Sequence, residues 1–238
     1  ATGNLLQNNA VRKPPTMTTS SETPFSTFVA TVRVLVAAAR HFTQRGLLVA
    51  IIAPLMLVGC YLPDAFTIDL NVDQNGDYRL SYRGHLVQPT ITEGLMNGSI
   101  DEDDEKKRVE IVLADLKRDS GVKQLTYQGN GIFNIVYERR SNIIRDKSYV
   151  FVRRNSRILE MFFRAESNTV EIRGGFVPDQ YEERLNALGY QMTGKIEIRT
   201  TAGVRSHNAA EFLNTGGQNR LRWEIKSITD PVPNVIIG

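Results

Sequence analysis

Strict alternation of apolar and polar side chains is the feature that most constrains this chain, and it is clearest in "FTIDLNVDQNGDYRLSYRGHLV". Phe66, Ile68, Leu70 and Val72 alternate with Thr67, Asp69, Asn71 and Asp73. After Asn75-Gly76, Tyr78, Leu80, Tyr82 and Leu86 alternate with Arg79, Ser81, Arg83 and His85. Successive side chains of a strand point to opposite faces, so this period of two gives each of two strands one apolar face. Asn-Gly between two such runs is a strong hairpin signal, because both residues tolerate positive φ. The same stretch places oxygen side chains at Asn71, Asp73 and Asn75 ahead of Gly76, as a calcium loop would. A calcium loop also requires a bidentate glutamate where this chain has Tyr82, and helical flanks where this chain alternates, so the hairpin is expected.

Similar alternation recurs downstream. "VKQLTYQGNGIFNIVYERR" turns at Gly129-Asn130-Gly131 and puts Phe133, Ile135 and Tyr137 on one face. "SYVFVRR", "RILEMFFRA" and "TVEIRGG" follow at hairpin spacing, then "GKIEIRTTAG" and "RLRWEIKSI", with Leu221, Trp223 and Ile225 on one face. Two helices interrupt them. "DEDDEKKRVEIVLADLKRDSG" opens on carboxylates at Asp101 to Glu105, where a helix dipole favours negative charge. It repeats Val109, Val112, Leu113 and Leu116 at helical spacing. "PDQYEERLNALG" has proline at its start, glycine at its end and a stripe of Tyr181, Leu185 and Leu188. Hairpins broken by two helices indicate an α+β fold, a mainly antiparallel sheet with two amphipathic helices on one side. In this reading the apolar faces exceed what a small core covers. Val112, Phe133, Ile135 and Trp223 are then expected to line a groove beneath the helix of residues 101–119, the alternative being an ordinary closed core.

The compartment is read from "LLVAIIAPLMLVGC", residues 47–60, which ends in the chain's single cysteine. A membrane-spanning helix needs about 20 apolar residues, and Arg45 and Gly46 on one side and Pro63 and Asp64 on the other leave fewer. Arg40 and Arg45 ahead of a short apolar run fit a secretory leader instead. Leu57, Val58 and Gly59 before Cys60 resemble the bacterial lipobox. That resemblance implies recognition by a signal peptidase at Leu57, Val58 and Gly59, cleavage after Gly59, and covalent lipid on Cys60, with no other cofactor and no metal. The alternative is a buried core segment in which Cys60 is a small hydrophobe. The expected organisation is 1–33 as disordered or upstream sequence, 34–59 as lipoprotein signal peptide and 60–238 as one α+β envelope domain. A lipidated chain is anchored to its membrane without spanning it. It faces away from the cytoplasm, on the outer membrane by default in a host with two membranes, since Tyr61 stands where an inner-membrane retention signal would have aspartate.

Charge excludes one class of partner. The whole chain is formally +3, but five of its 29 Lys and Arg and one of its 26 Asp and Glu precede Cys60. The remainder has 24 basic and 25 acidic residues, a formal net of −1. A near-neutral domain lacks the single-sign field of a nucleic-acid binder.

The layout also resembles the LppM-type envelope lipoproteins of actinobacteria, on an extended segment with "VDQNGDY" just after the lipobox cysteine, a hairpin, a helix, and "IEIRTTAGVRSHNAAEF" before "LRWEI". The resemblance implies a lipid- or ligand-binding module. Signs of catalysis are few. There is no G-x-S-x-G, H-E-x-x-H, Walker A or C-x-x-C, and after Cys60 the only histidines are His85 and His207. Gly174-Gly175 and Gly216-Gly217 lack the lysine and helix of a phosphate loop and read as turns. Arg139-Arg140 and Arg153-Arg154 flank strands and could meet anionic headgroups, though the balance of acids favours a solvated edge. Two functions remain: a membrane-anchored domain that binds a lipid or an envelope protein and is not an enzyme, or an envelope hydrolase or transferase whose catalytic residues are dispersed.

Overall fold

The alternating segments become nine of the twelve strands, in two sheets, found among the described residues. The computed structural model describes residues 61–153, 156–175, 177–178 and 181–238. The segment 1–33, the expected leader 34–59 and the lipobox-like run Leu57 to Cys60 lie outside the described residues. In chain order the elements are β1 (Leu62–Val72), β2 (Asp77–Val87), α1 (Pro89–Met96), α2 (Glu102–Leu116), β3 (Val122–Gly129) and β4 (Ile132–Asn142). Next come α3 (Ile143–Asp146), β5 (Ser148–Arg153), β6 (Ser156–Arg164), β7 (Thr169–Gly174) and α4 (Glu182–Ala187). The chain closes with β8 (Gly194–Thr200), β9 (Val204–His207), β10 (Glu211–Thr215), β11 (Gln218–Ile225) and β12 (Asn234–Ile237). One sheet has seven strands in the order β10-β11-β8-β1-β2-β4-β3, the other five in the order β5-β6-β7-β12-β9.

The hairpin around Asn75-Gly76 forms as expected, with β1 antiparallel to β2 in the register Val72 to Tyr78 and Leu70 to Leu80. Asp73 Oδ1 accepts the backbone N–H groups of Asn75 and Asp77 at 2.8 and 3.0 Å, so this carboxylate serves the turn. Glycine is required further along, at Gly84. A Cβ there would come within 2.6 Å of the Phe66 Cα and 2.7 Å of the Ala65 carbonyl, where the β1–β2 register shifts between Asp64 and Thr67.

The α+β expectation is overturned. Strands dominate, a second sheet is present, and four helices are found among the described residues. The physical reason lies in how far one apolar face extends. Registers across the large sheet align Trp223, Ile196, Ile68, Tyr82 and Tyr137 as neighbours on five successive strands, all at most 3% exposed. Two short helices cannot roof a face that wide, and the second sheet does so. Phe151 of β5 packs its ring 5.0 Å from Tyr82 and 4.7 Å from Tyr137, and the Tyr137 and Tyr149 hydroxyls are 2.9 Å apart.

The helices serve the margins. Asp101 caps α2 by accepting the Asp104 N–H at 2.8 Å, and Val109, Val112 and Leu116 are its buried residues, Leu113 only partly so. The α2 helix lies against the edge strand β3, where the Tyr127 hydroxyl donates to Glu105. The second expected helix is α4, shorter than the sequence suggested. β1 and β8 pair in parallel, a departure from the mainly antiparallel pairing that the sequence predicts.

All described residues belong to one compact unit, Leu55–Gly238. The core of that unit is drawn from Tyr61 to Ile237, so it carries its own apolar interior.

Candidate functional site

At the start of β1 the two sheets do not close completely. The chain enters the fold at Tyr61, whose N–H donates to the Ser156 Oγ at 2.6 Å and ties the first described residue to the start of β6. Tyr190 donates its hydroxyl to the Leu62 carbonyl at 2.7 Å. Thr193 gives both its N–H and its hydroxyl to Asp64 Oδ1, at 2.9 and 3.2 Å. These bonds fix β1 against the approach to β8. Across from them, the Gly175 N–H donates to the Ile158 carbonyl at 3.0 Å and the Gly174 N–H to the Pro233 carbonyl at 2.7 Å. Gly175 has no room for a side chain, because a Cβ would land on the Arg157 carbonyl. The dipeptide read as a turn from sequence is thus a close backbone approach.

These ties leave a partly open cavity of about 310 Å³. Its interior is apolar: Phe66, Leu185, Met192 and Ile196 are each 3% exposed. Its more exposed lining includes Arg157 and Arg184. Arg184 pairs with Glu93, which fastens α4 to α1, and Arg157 lies 3.3 Å from Glu160. Burial pushes the Tyr190 hydroxyl far above the ordinary phenol range, with Asp64 and Tyr82 adding to it, so at neutral pH this residue acts as a hydrogen-bond donor.

The residues proposed from sequence as a groove lie elsewhere. Val112, Phe133, Ile135 and Trp223 are 7, 0, 0 and 3% exposed, and none is among the residues lining this cavity. Phe133 and Ile135 sit on the covered face of β4. Trp223 borders a separate, more open depression beside Ile196 and donates its indole N–H to Asn208 Oδ1 at 3.2 Å. Cys60 and the residues before it lie outside the described residues, although Tyr61, one peptide bond away, lines the cavity.

Neither histidine enters the cavity. His85 is half-buried on β2 with its carbonyl accepting the Tyr82 hydroxyl at 2.6 Å, and His207 is exposed with its ring 4.8 Å from that of Phe212. Arg139 is committed to the sheet, donating to the Tyr78 hydroxyl at 3.2 Å and lying 5.0 Å from the Tyr149 ring centre. Sequence reasoning missed the cavity because its wall draws on segments as distant as Tyr61 and Val232. The one local signal was Gly174-Gly175 beside the proline of "VPDQYEERL".

Fold and cavity together define a two-sheet β domain with a ligand-sized apolar recess. No helix among the described residues is long and apolar enough to cross a membrane. Comparison with protein families and with curated proteins finds no match. Among solved structures the chain is similar to the NMR structure of the folded domain of LppM from Mycobacterium tuberculosis. The likeness spans 74% of this chain and 91% of that one at 10% identity, with a TM-score of 0.33, too loose a superposition to transfer a fold or a function.

Proposed function

We propose that this chain is an envelope lipoprotein, held to its membrane by lipid on Cys60, whose β domain binds one small apolar or amphiphilic molecule without transforming it. In a host with two membranes the outer membrane is its address. The observation that carries the reading is the apolar cavity of about 310 Å³ at the start of β1, in the size range of small-molecule sites. Its described lining offers no histidine, cysteine or carboxylate to act as base or nucleophile. Two acyl chains or more on Cys60 would anchor the domain firmly, at roughly 0.8 kcal/mol per buried CH₂. The cavity would then open beside the bilayer surface, where apolar ligands are concentrated.

Two measurements test the two halves. A clickable palmitate should label the full chain, and Cys60→Ser should lose both the label and the membrane fraction; an unlabelled wild type ends the lipoprotein reading. Native mass spectrometry of the Leu55–Gly238 unit should reveal a co-purifying small molecule that is lost when Val177→Trp fills the cavity. A bare mass that no added amphiphile changes ends the binding reading.

A further inference from the structure

The cavity sorts its charges. Among the described residues lining it, the side chains charged at neutral pH are Arg157 and Arg184, and none is acidic. Glu160 and Glu93, which pair with these arginines, are not part of the lining. The arginines occupy its outer part, with side chains 64 and 36% exposed, whereas Phe66, Leu185, Met192 and Ile196 at 3% form its inner part. Polarity therefore runs in one direction, from an apolar interior to a mouth that carries two guanidinium groups.

A guanidinium presents five N–H donors in a planar fork, and one carboxylate engages at most two of them as a bidentate partner. Arg184 can hold Glu93 and still offer donors toward the cavity. Arg157, paired with Glu160, brings a second guanidinium to the same mouth. An anion seated there would form charge-assisted hydrogen bonds beside low-dielectric walls, where they are strongest. A cationic head would meet like charge. Size narrows the ligand further. At the ~30 Å³ share of one water-sized group, about 310 Å³ accepts on the order of ten methylenes, room for one chain of medium length.

We propose that the cavity seats a single-chain fatty carboxylate, its chain against Phe66, Leu185, Met192 and Ile196 and its head on the donors that Arg184 keeps beside its Glu93 pair, with Arg157 at the same mouth. This deepens the binding reading above and rests on it. Isothermal titration of the Leu55–Gly238 unit carrying Cys60→Ser, with decanoate, decanol and decyltrimethylammonium below their micelle concentrations, separates the two claims. Decanoate should bind at least tenfold more tightly than decanol, and the ammonium amphiphile more weakly than either. The double change Glu93→Gln with Arg184→Gln removes the ion pair without stranding a charge, and it should abolish the preference for decanoate while the thermal transition stays cooperative. Equal binding of decanoate and decanol, tighter binding of the ammonium compound, or a preference that survives the double change overturns the carboxylate assignment and leaves the cavity a binding site. If none of the three binds, the binding reading falls and the assignment with it.

Discussion

Gly175 shows how a single residue shapes the site. Its N–H is bonded to the Ile158 carbonyl, and its missing side chain lets the segment after β7 lie directly on the Arg157 carbonyl. The obstacle to a Cβ is backbone, which cannot swing aside as the end of a long side chain would. Gly175→Ala should therefore push residue 175 off the start of β6, costing about 1–3 kcal/mol as overpacking does. Denaturant unfolding will measure the loss as a lower midpoint at unchanged slope, and ligand capture by the cavity should fall with it. From sequence alone Gly174-Gly175 read as a turn, because a close approach between chain segments leaves no mark on either segment's pattern.

Among the elements, α2 was the most legible and the sheets the least complete. Carboxylates at Asp101 to Glu105 and the spacing of Val109, Val112 and Leu116 predicted a helix over 101–119, and α2 occupies Glu102–Leu116. Helix start signals work because they are local: the Asp101 carboxylate accepts the Asp104 N–H three residues on. Asp101→Ala should cost about 1 kcal/mol, the usual loss of an N-cap, and hydrogen exchange in the first turn of α2 should quicken before that in β4. α1 went unpredicted although its signals were equally local, a proline at its first turn behind Gln88, whose side chain accepts the Thr90 N–H. The parallel pairing of β1 with β8 had no such signal. The partners Ile68 and Ile196 stand far apart in sequence, and alternation records that a strand has a buried face without naming its neighbour.

For the whole molecule, the contact between the sheets is built around tyrosines. Burial raises the hydroxyls of Tyr78, Tyr82, Tyr137 and Tyr149 above the ordinary value of 10.0; in this group Arg139 opposes the rise at Tyr78 and Tyr137, while Asp119 adds to it at Tyr137. At the α2 edge, burial and the Glu105 hydrogen bond push Tyr127 up to about 12. A phenol whose folded value exceeds its unfolded value keeps its proton longer in the folded state, so its contribution is complete below the unfolded value and is lost as pH rises toward the folded one. The domain should hold its stability up to about pH 10 and lose it progressively above, with phenolate absorbance appearing together with loss of the circular dichroism signal. Phenolate absorbance rising well before unfolding would show these tyrosines to be more accessible than their packing implies.

The sequence by itself determined nine of the twelve described strands, all but β9, β10 and β12, together with the hairpin at Asn75-Gly76, the α2 helix and the near-neutral charge after Cys60. Each depends on residues close together in the chain or on a simple sum. Only the tertiary structure decided that a second sheet covers the first, that Phe133, Ile135 and Trp223 are buried core, and that Phe66, Met192 and Leu185 face a cavity. The physical reason is that hydrophobic burial is non-directional. An apolar face demands a cover, and helix, sheet or ligand can each satisfy it. The choice is made by which distant segments meet, and that information is spread across the whole chain.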